Sequence, residues 1–393
     1  MLDSTTLPPP AAVMPGRAFA EPETQVIGAV VPAPGGARMA RRGTARVVAV
    51  IPAWNEADCI AETIAGLRAQ TRPPDMIVVV ANNCTDDTAR VAKDAGVDVI
   101  DLPDCPGKKA GALNHALGEL LPGLSGKDRI FIQDADTVVV PDWLALASAA
   151  MDADPGAIIS GRYACKNARG LLGLAQRNEF ARECRMIDRR GDKTHIIVGT
   201  STLLPVAMLR EVIAARLAGR LPAGYVYVPE SLTEDFELTL AAKTLGWRTA
   251  SPYGCDAITD VMPSLTMLWR QRIRWMQGGV EDLRRYGWTP ITSPFHVRRA
   301  WILFGLASML LFYATLIATW AASGTVVTSL SWALLTLVFI IDRVAGVRSQ
   351  GRAAMVFAAL LVPEMIYNLF AQAVYATALC KAFRGTKLSW HET

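Results

Sequence analysis

Several signatures of familiar chemistry are missing from this chain of 393 residues. Its seven cysteines form no C-x-x-C pair and it has only four histidines. That pattern argues against a structural zinc site and a secreted disulfide framework, and it fits a reducing compartment for the soluble part. No G-x-G-x-x-G opens a helix and no P-loop occurs, which disfavours a Rossmann dinucleotide site. Lys and Arg (40) nearly balance Asp and Glu (36), so the net charge of +4 gives no sign of a nucleic-acid partner. The N-terminus lacks a basic region followed by an apolar core, and no secretory signal peptide is expected.

Apolar residues are plentiful instead. They make up 51% of the chain and concentrate after Arg299. Residues 301–321 and 325–341 are long enough to span a bilayer, and a third run, 353–379, contains Pro363 and Glu364. Arg298 and Arg299 precede the first run, while Arg343, Arg348 and Arg352 separate the second from the third. The positive-inside rule therefore places the preceding domain in the cytoplasm of a multi-pass inner-membrane protein. Three full spans, the favoured count, would leave Lys381, Arg384 and Lys387 outside, against the same rule. The other reading is a third run that is broken or re-entrant at Pro363. Glu364 is expected to face a partner or a polar cavity. Residues 265–286 alternate Leu268, Trp269, Ile273 and Trp275 with arginines, which suits the membrane–water interface. Residues 1–45, rich in Pro, Ala and Gly, read as a disordered tail. The resulting division is a tail (1–45), an α/β domain (46–264), an interfacial segment (265–299) and a membrane region of about three spans (300–393).

Within the α/β domain, strand patterns at 46–51, 75–80 and 97–100 alternate with helix patterns at 57–69, 89–95 and from 107 onward. This is the rhythm of a parallel sheet with crossover helices. The stretch Arg129-Ile-Phe-Ile-Gln-Asp-Ala-Asp-Thr-Val-Val-Val140 reads as a buried strand with Asp134 and Asp136 at its end. Ligands of open α/β sheets bind beyond such strand ends, and two carboxylates there suit a hard divalent cation, Mg2+ or Mn2+. A lone D-x-D is more often a solvated strand end. Lys109, beside a glycine at a helix start, has the placement to meet a diphosphate. The charged residues of 169–190 (Arg177, Glu179, Arg182, Glu183, Arg185) read most simply as a solvated helix face.

Six motifs in order carry a more specific message: Pro52-x-x-Asn55-Glu56, the Asn82–Thr88 turn N-N-C-T-D-D-T, K-A-G-A-L-N from Lys109, D-A-D, Thr233-Glu234-Asp235, and Gln271-x-x-Arg274-Trp275. Over residues 46–290 this order resembles the family 2 inverting glycosyltransferases of the GT-A nucleotide-sugar fold, in particular the membrane-embedded cellulose, hyaluronan and poly-N-acetylglucosamine synthases. The resemblance implies a nucleotide-sugar donor and a sugar, lipid or protein acceptor. It implies a metal on Asp136 with Asp134, and a nucleoside pocket edged by Pro52, Asn55 and Glu56. It further implies that Lys109 and Arg274 face the diphosphate, that Trp275 packs at the acceptor or lid with Gln271 beside it, and that Asp235 is the general base. Glu234 is expected to play a structural role, pointing away if the segment is extended, and Ile196–Leu203 to form the acceptor loop. Asn82 stands where the family usually has an aspartate for the uracil N–H. Despite that departure UDP remains the first guess for the nucleotide, with GDP open. With so few spans, a homo-oligomer or a membrane partner competes with a self-sufficient synthase. A non-catalytic nucleotide-binding scaffold of an envelope complex is the alternative, and a small transporter the weakest reading.

Overall fold

The computed structural model describes residues 45–324 and 330–384. The expected tail, except Ala45, the first residues of the 325–341 run, and Lys387 lie outside them.

The chain begins as a βαβ series: β1 (Val47–Ala53), α1 (Ile60–Arg68), β2 (Met76–Asn82), α2 (Thr88–Asp94), β3 (Asp98–Leu102), α3 (Lys108–Leu120) and β4 (Arg129–Gln133). It continues through β5 (Val138–Val139), α4 (Trp143–Ala153), β6 (Ala157–Ser160), β7 (Arg162–Lys166) and α5 (Gly170–Asp188). Then come β8 (Ser201–Pro205), α6 (Val206–Leu217), α7 (Glu234–Thr244), β9 (Arg248–Ala250) and β10 (Asp256–Asp260). Seven strands form one sheet in the order β3-β2-β1-β4-β8-β6-β9. The four strands β3, β2, β1 and β4 are parallel, and β8 runs antiparallel to both β4 and β6.

Every residue of β1 is buried, because both faces of the sheet are covered. Val48, Val50 and Ile130 face a core with Leu113, Leu117, Leu209 and Leu238 from α3, α6 and α7. Their alternates Ala49, Ile51 and Phe131 face Ile64 and Trp143 from α1 and α4. The two rings Phe131 and Trp143 meet at 4.5 Å.

The 129–140 stretch is not one strand. β4 stops at Gln133, whose amide Nε2 donates to Thr137 O at 2.6 Å across a turn closed by Thr137 N–H to Asp134 O at 3.2 Å. The chain then enters a second, three-stranded sheet, β5-β10-β7. Asp134 and Asp136 therefore ride the turn between two sheets, at the carboxyl end of β4.

The C-terminal part comprises α8 (Leu265–Tyr286), α9 (Ser293–Ser323), α10 (Leu330–Val347), α11 (Arg352–Ala359) and α12 (Leu361–Phe383). Among the described residues α9 alone is, by itself, long and apolar enough to cross a membrane. The pair α11–α12, bent by 76°, would be a second span if it acted as one. The bend falls at Leu360, and Pro363 sits in the first turn of α12, where its missing N–H costs no helical bond.

The charged helix α5 is not a solvated face. It buries Ala175, Gln176, Asn178 and Phe180, and its polar residues hold the C-terminal helices. Asn178 Nδ2 donates to Ala354 O at 3.2 Å, and Arg182 pairs with Glu364 at 2.8 Å. Glu179 Oε2 accepts from Tyr367 Oη at 2.6 Å and from Arg272 at 2.9 Å. Partners so distant in sequence leave no trace in the periodicity of α5 itself. Glu364 does face a partner, as a charge inside an apolar run must.

Candidate active site

The loops that follow β1 and β2 are stitched to each other. Pro52 lies past the end of the β1–β4 pairing, where a residue without an N–H is tolerated. Asn55 takes a left-handed conformation (φ 56°), and its Oδ1 accepts from Thr85 N–H at 2.7 Å. Glu56 N–H donates to Thr88 Oγ1 at 2.8 Å, and Ala57 N–H to Asp86 Oδ2 at 3.1 Å. The N-N-C-T-D-D-T turn thus serves as a clamp on P-x-x-N-E. Burial, reinforced by the charges of Asp136, Asp134 and Asp86, raises the Glu56 carboxyl above its usual range, against the Cys59 thiol that hydrogen-bonds it. Asn82 ends β2 buried, with its Oδ1 lacking a hydrogen-bond partner. An orphaned buried acceptor of this kind calls for a donor from outside the chain.

Beyond β4 the charges interlock. α3 begins after Gly107 (φ 81°), and a side chain at Gly111 would collide with Pro106 O at 1.9 Å. This tight entry sets Lys109 in the first turn. Its Nζ lies 2.6 Å from Asp134 Oδ1 and 2.9 Å from Glu234 Oε1. Burial disfavours the ammonium, but the two carboxylates outweigh it and hold Lys109 well above the ordinary lysine range. Asp134 is pushed up to about 6 by burial, opposed by Lys109 and reinforced by Asp136. Asp136 is exposed, and its Oδ1 accepts from Thr137 Oγ1 at 3.1 Å.

The T-E-D segment opens α7 and is not extended, so alternate residues do not face opposite ways. Glu234 points into the site, contrary to the expectation that it would turn away. Its carboxyl lies below the usual range because Lys109 and Arg274 overcome the cost of burial. Asp235 Oδ2 accepts from Gly199 N–H at 3.0 Å. Burial and the neighbouring Glu234 push the Asp235 carboxyl up to about 6, against Lys109 and the N–H groups of Phe236 and Gly199.

Of the expected 196–203 loop, Ser201, Thr202 and Leu203 already belong to β8, and the rest is fixed by three consecutive N–H groups, each on a side-chain oxygen. Ile197 donates to Thr239 Oγ1 (3.1 Å), Val198 to Ser160 Oγ (2.9 Å) and Gly199 to Asp235. A side chain at Gly199 would approach Lys109 Nζ to 3.1 Å and Asp235 Oδ2 to 3.4 Å. Glycine here keeps the space beside both charges open. A small cavity of about 20 Å³ lies among Lys109, Gly199, Tyr227, Glu234 and Asp235.

The Q-x-x-R-W residues come from α8. Arg274 Nη1 reaches Leu232 O at 3.5 Å, just before the T-E-D segment, and its charge acts on Glu234 and Lys108. Arg272 lies over the Trp275 ring at 4.4 Å, and Gln271 is half-buried one turn away. Asp282, also on α8, accepts from Ser231 Oγ (2.9 Å) and Thr233 Oγ1 (2.8 Å), fastening α8 to the entrance of α7. Sequence reading overlooked Asp282, which belongs to no motif.

Asp134, Asp235, Lys109 and Arg274 therefore converge, with Glu234 added. Among the described residues no three His, Cys, Asp or Glu side chains form a ready metal cage. Mg2+ and its like often take only one or two carboxylates and complete their shell with phosphate oxygens and water. The exposed Asp136 carboxylate, with Asp134 held two residues away, fits that manner of binding.

The family described as "Glycosyltransferase like family 2" matches residues 45–278, more than half of the chain. The poly-beta-1,6-N-acetyl-D-glucosamine synthase of Staphylococcus aureus (strain MSSA476) is 26% identical over 245 residues, 60% of this chain and 55% of that protein. Its Staphylococcus epidermidis counterpart is 24% identical over 253 residues, 62% of this chain and 57% of that one. This chain spans about half the length of the curated relatives it matches. A mannosyltransferase from Pyrobaculum calidifontis, solved in complex with GDP-Man and Mn2+, superposes with a TM-score of 0.56 at 20% identity, over 87% of this chain and 88% of that one. At that identity the likeness speaks for the fold, a mixed α/β domain of GT-A type around a central sheet.

Proposed function

We propose, from the premise that this chain belongs to the family 2 glycosyltransferases, that it moves a sugar from a nucleotide diphosphate to an acceptor hydroxyl with inversion. UDP is the first choice of nucleotide, and a growing polysaccharide, a lipid or a protein the acceptor. The supporting observation is the position of Asp235, a carboxylate at a small-residue loop, beside Glu234, which shares Lys109 with Asp134 at the end of β4.

Each chain residue has a task in this reading. Asp235 takes the proton of the attacking hydroxyl, which Gly199 leaves room to approach. Lys109 and Arg274 offer positive charge to the leaving diphosphate, while Pro52, Asn55, Glu56 and Asn82 border the nucleoside and Gln271 and Trp275 the acceptor. Mg2+ or Mn2+ on Asp136, with Asp134, would supply Lewis-acid neutralisation of the diphosphate when bound. The domain of 46–264 faces the cytoplasm, anchored through 265–299 and the apolar helices to the inner membrane.

Purified full-length protein in detergent, incubated with a panel of sugar nucleotides and candidate acceptors, should release nucleoside diphosphate from at least one donor. Asp235→Asn should cut the release about 10²–10⁴-fold while nucleotide binding persists. Binding without turnover across the whole panel would overturn the enzyme in favour of a nucleotide-binding scaffold.

A further inference from the structure

Helix α12, at 23 residues or about 35 Å, has the length of a membrane span, but it is apolar enough for one only when joined to α11 across the bend. Its beginning, middle and end are nevertheless all bound to the α/β domain and its attached helix α8. Near the start, Glu364 Oε1 takes Arg182 Nη1 at 2.8 Å, and Tyr367 Oη donates to Glu179 at 2.6 Å. In the middle, Phe370 meets Trp269 edge-on at 5.7 Å, and Val374 and Ala378 are buried with Ile273. At the end, Ala382 O accepts from Arg284 Nη1 at 2.6 Å, and the same guanidinium lies 4.9 Å from the Phe383 ring.

These contacts climb both helices together, from Trp269 with Phe370 to Arg284 with Ala382, so α8 and α12 run side by side in the same direction. α8 carries Arg270, Arg272, Arg274, Arg284, Arg285, Glu281 and Asp282, and is fastened to the T-E-D segment through Asp282. A helix so charged has no stable place in hydrocarbon. A partner lying along it shares its depth. The return of the chain is visible as well. Asp342, late in α10, meets α5 through Arg185 Nη1, which donates to its carbonyl at 3.2 Å. Arg299, at the start of α9, packs over Gly279 of α8.

We infer that α12 lies in the membrane–water interface beside α8, and that the chain crosses the bilayer twice, outward on α9 and back on the apolar run from residue 325, of which α10 is the described part. Its C-terminus is then on the side of the catalytic domain. Val362, Ile366 and Leu369 form an exposed stripe at helical spacing that meets the acyl boundary of the lipid. Two crossings also keep Lys381 and Arg384 on the cytoplasmic side, where three would expel them.

This inference rests on the membrane reading above. Alkaline phosphatase, active only outside the cytoplasm, and green fluorescent protein, fluorescent only inside it when exported in unfolded form, would be fused in parallel after Gly324 and after Thr393. The phosphatase should be active after Gly324 and lose that activity after Thr393, where the fluorescent fusion should be bright. Active phosphatase after Thr393 would place the C-terminus outside, by a third crossing or by no return on α10, and silent phosphatase after Gly324 would show that α9 does not cross; either overturns the inference. Recovery of the unfused chain in the soluble fraction would instead sink the membrane reading itself, and the inference with it.

Discussion

The two sides of the cleft are built from different material. On the nucleotide side, four parallel strands present loops that bind one another across about thirty residues of sequence, Asn55 to Thr85 and Glu56 to Thr88. On the acceptor side, antiparallel β8 carries a loop whose N–H groups end on Ser160, Asp235 and Thr239, and α7 is held from beyond by α8. The first side is assembled by the loops that follow two paired parallel strands, β1 and β2. The other is held in addition from beyond the sheet, by Asp282 of α8 on Ser231 and Thr233, so its geometry depends on a helix outside the α/β core.

The sharpest way to divide the two sides is to remove one carboxylate from each. Asp235→Asn should lower kcat about 10²–10⁴-fold, the range of a positioned proton transfer, with donor binding unchanged by calorimetry. Asp136→Asn should lower both transfer and the stimulation of nucleotide binding by Mg2+ or Mn2+. If both variants lost donor binding alike, the division between the sides would not stand.

The next effect concerns stability. Arg216 and Glu237 form a fully buried pair at 2.7 Å, capped by Tyr286 Oη on Glu237 at 2.6 Å. Glu237→Gln leaves the arginine charge buried without its counter-ion and should cost about 3–5 kcal/mol in denaturant unfolding. On the nucleotide side the exposed pair Lys166–Glu62, at 2.9 Å, should lose no more than about 1 kcal/mol on Glu62→Gln. Equal losses would mean that burial of the Arg216–Glu237 pair does not set the second side apart.

A smaller effect follows from pH. Asp235 accepts a proton only when ionised, and its carboxyl is raised to about 6, chiefly by burial and Glu234. Transfer at low donor concentration should therefore rise with pH through about 6 and fall about tenfold per unit below it. A rate that stays level from pH 5 to pH 7, as round values near that midpoint, on the order of one unit either side, would remove Asp235 from the role of base. The smallest change is expected at Asn82→Asp, which restores an anionic acceptor at the end of β2. UDP should then bind a few-fold more tightly in competition assays, through a charge-assisted bond, and GDP less so. No change for either nucleotide would place the base elsewhere.

Much of this was legible from the residues. The strands at the start of the domain and the six ordered motifs announced their elements, because buried parallel strands are continuous apolar runs and the nucleotide loops lie between them. The break after Gln133 was not legible, since Val138 and Val139 are as β-prone as Ile130 and Phe131 and only the turn at Asp134 sends them to another sheet. The inward turn of Glu234 depended on whether T-E-D was strand or helix. The docking role of α5 depended on Tyr367 and Glu364, nearly two hundred positions away.

That docking has a practical consequence for anyone who would dissect the molecule. Composition draws a boundary near Arg299, yet a fragment ending there would strip Glu364 from Arg182, Tyr367 from Glu179 and Val374 from Ile273, leaving stranded charge beside bare hydrocarbon on α5 and α8. Such a truncation should precipitate rather than behave as a detachable catalyst, and a soluble version would need those two helices resurfaced before the cut is made.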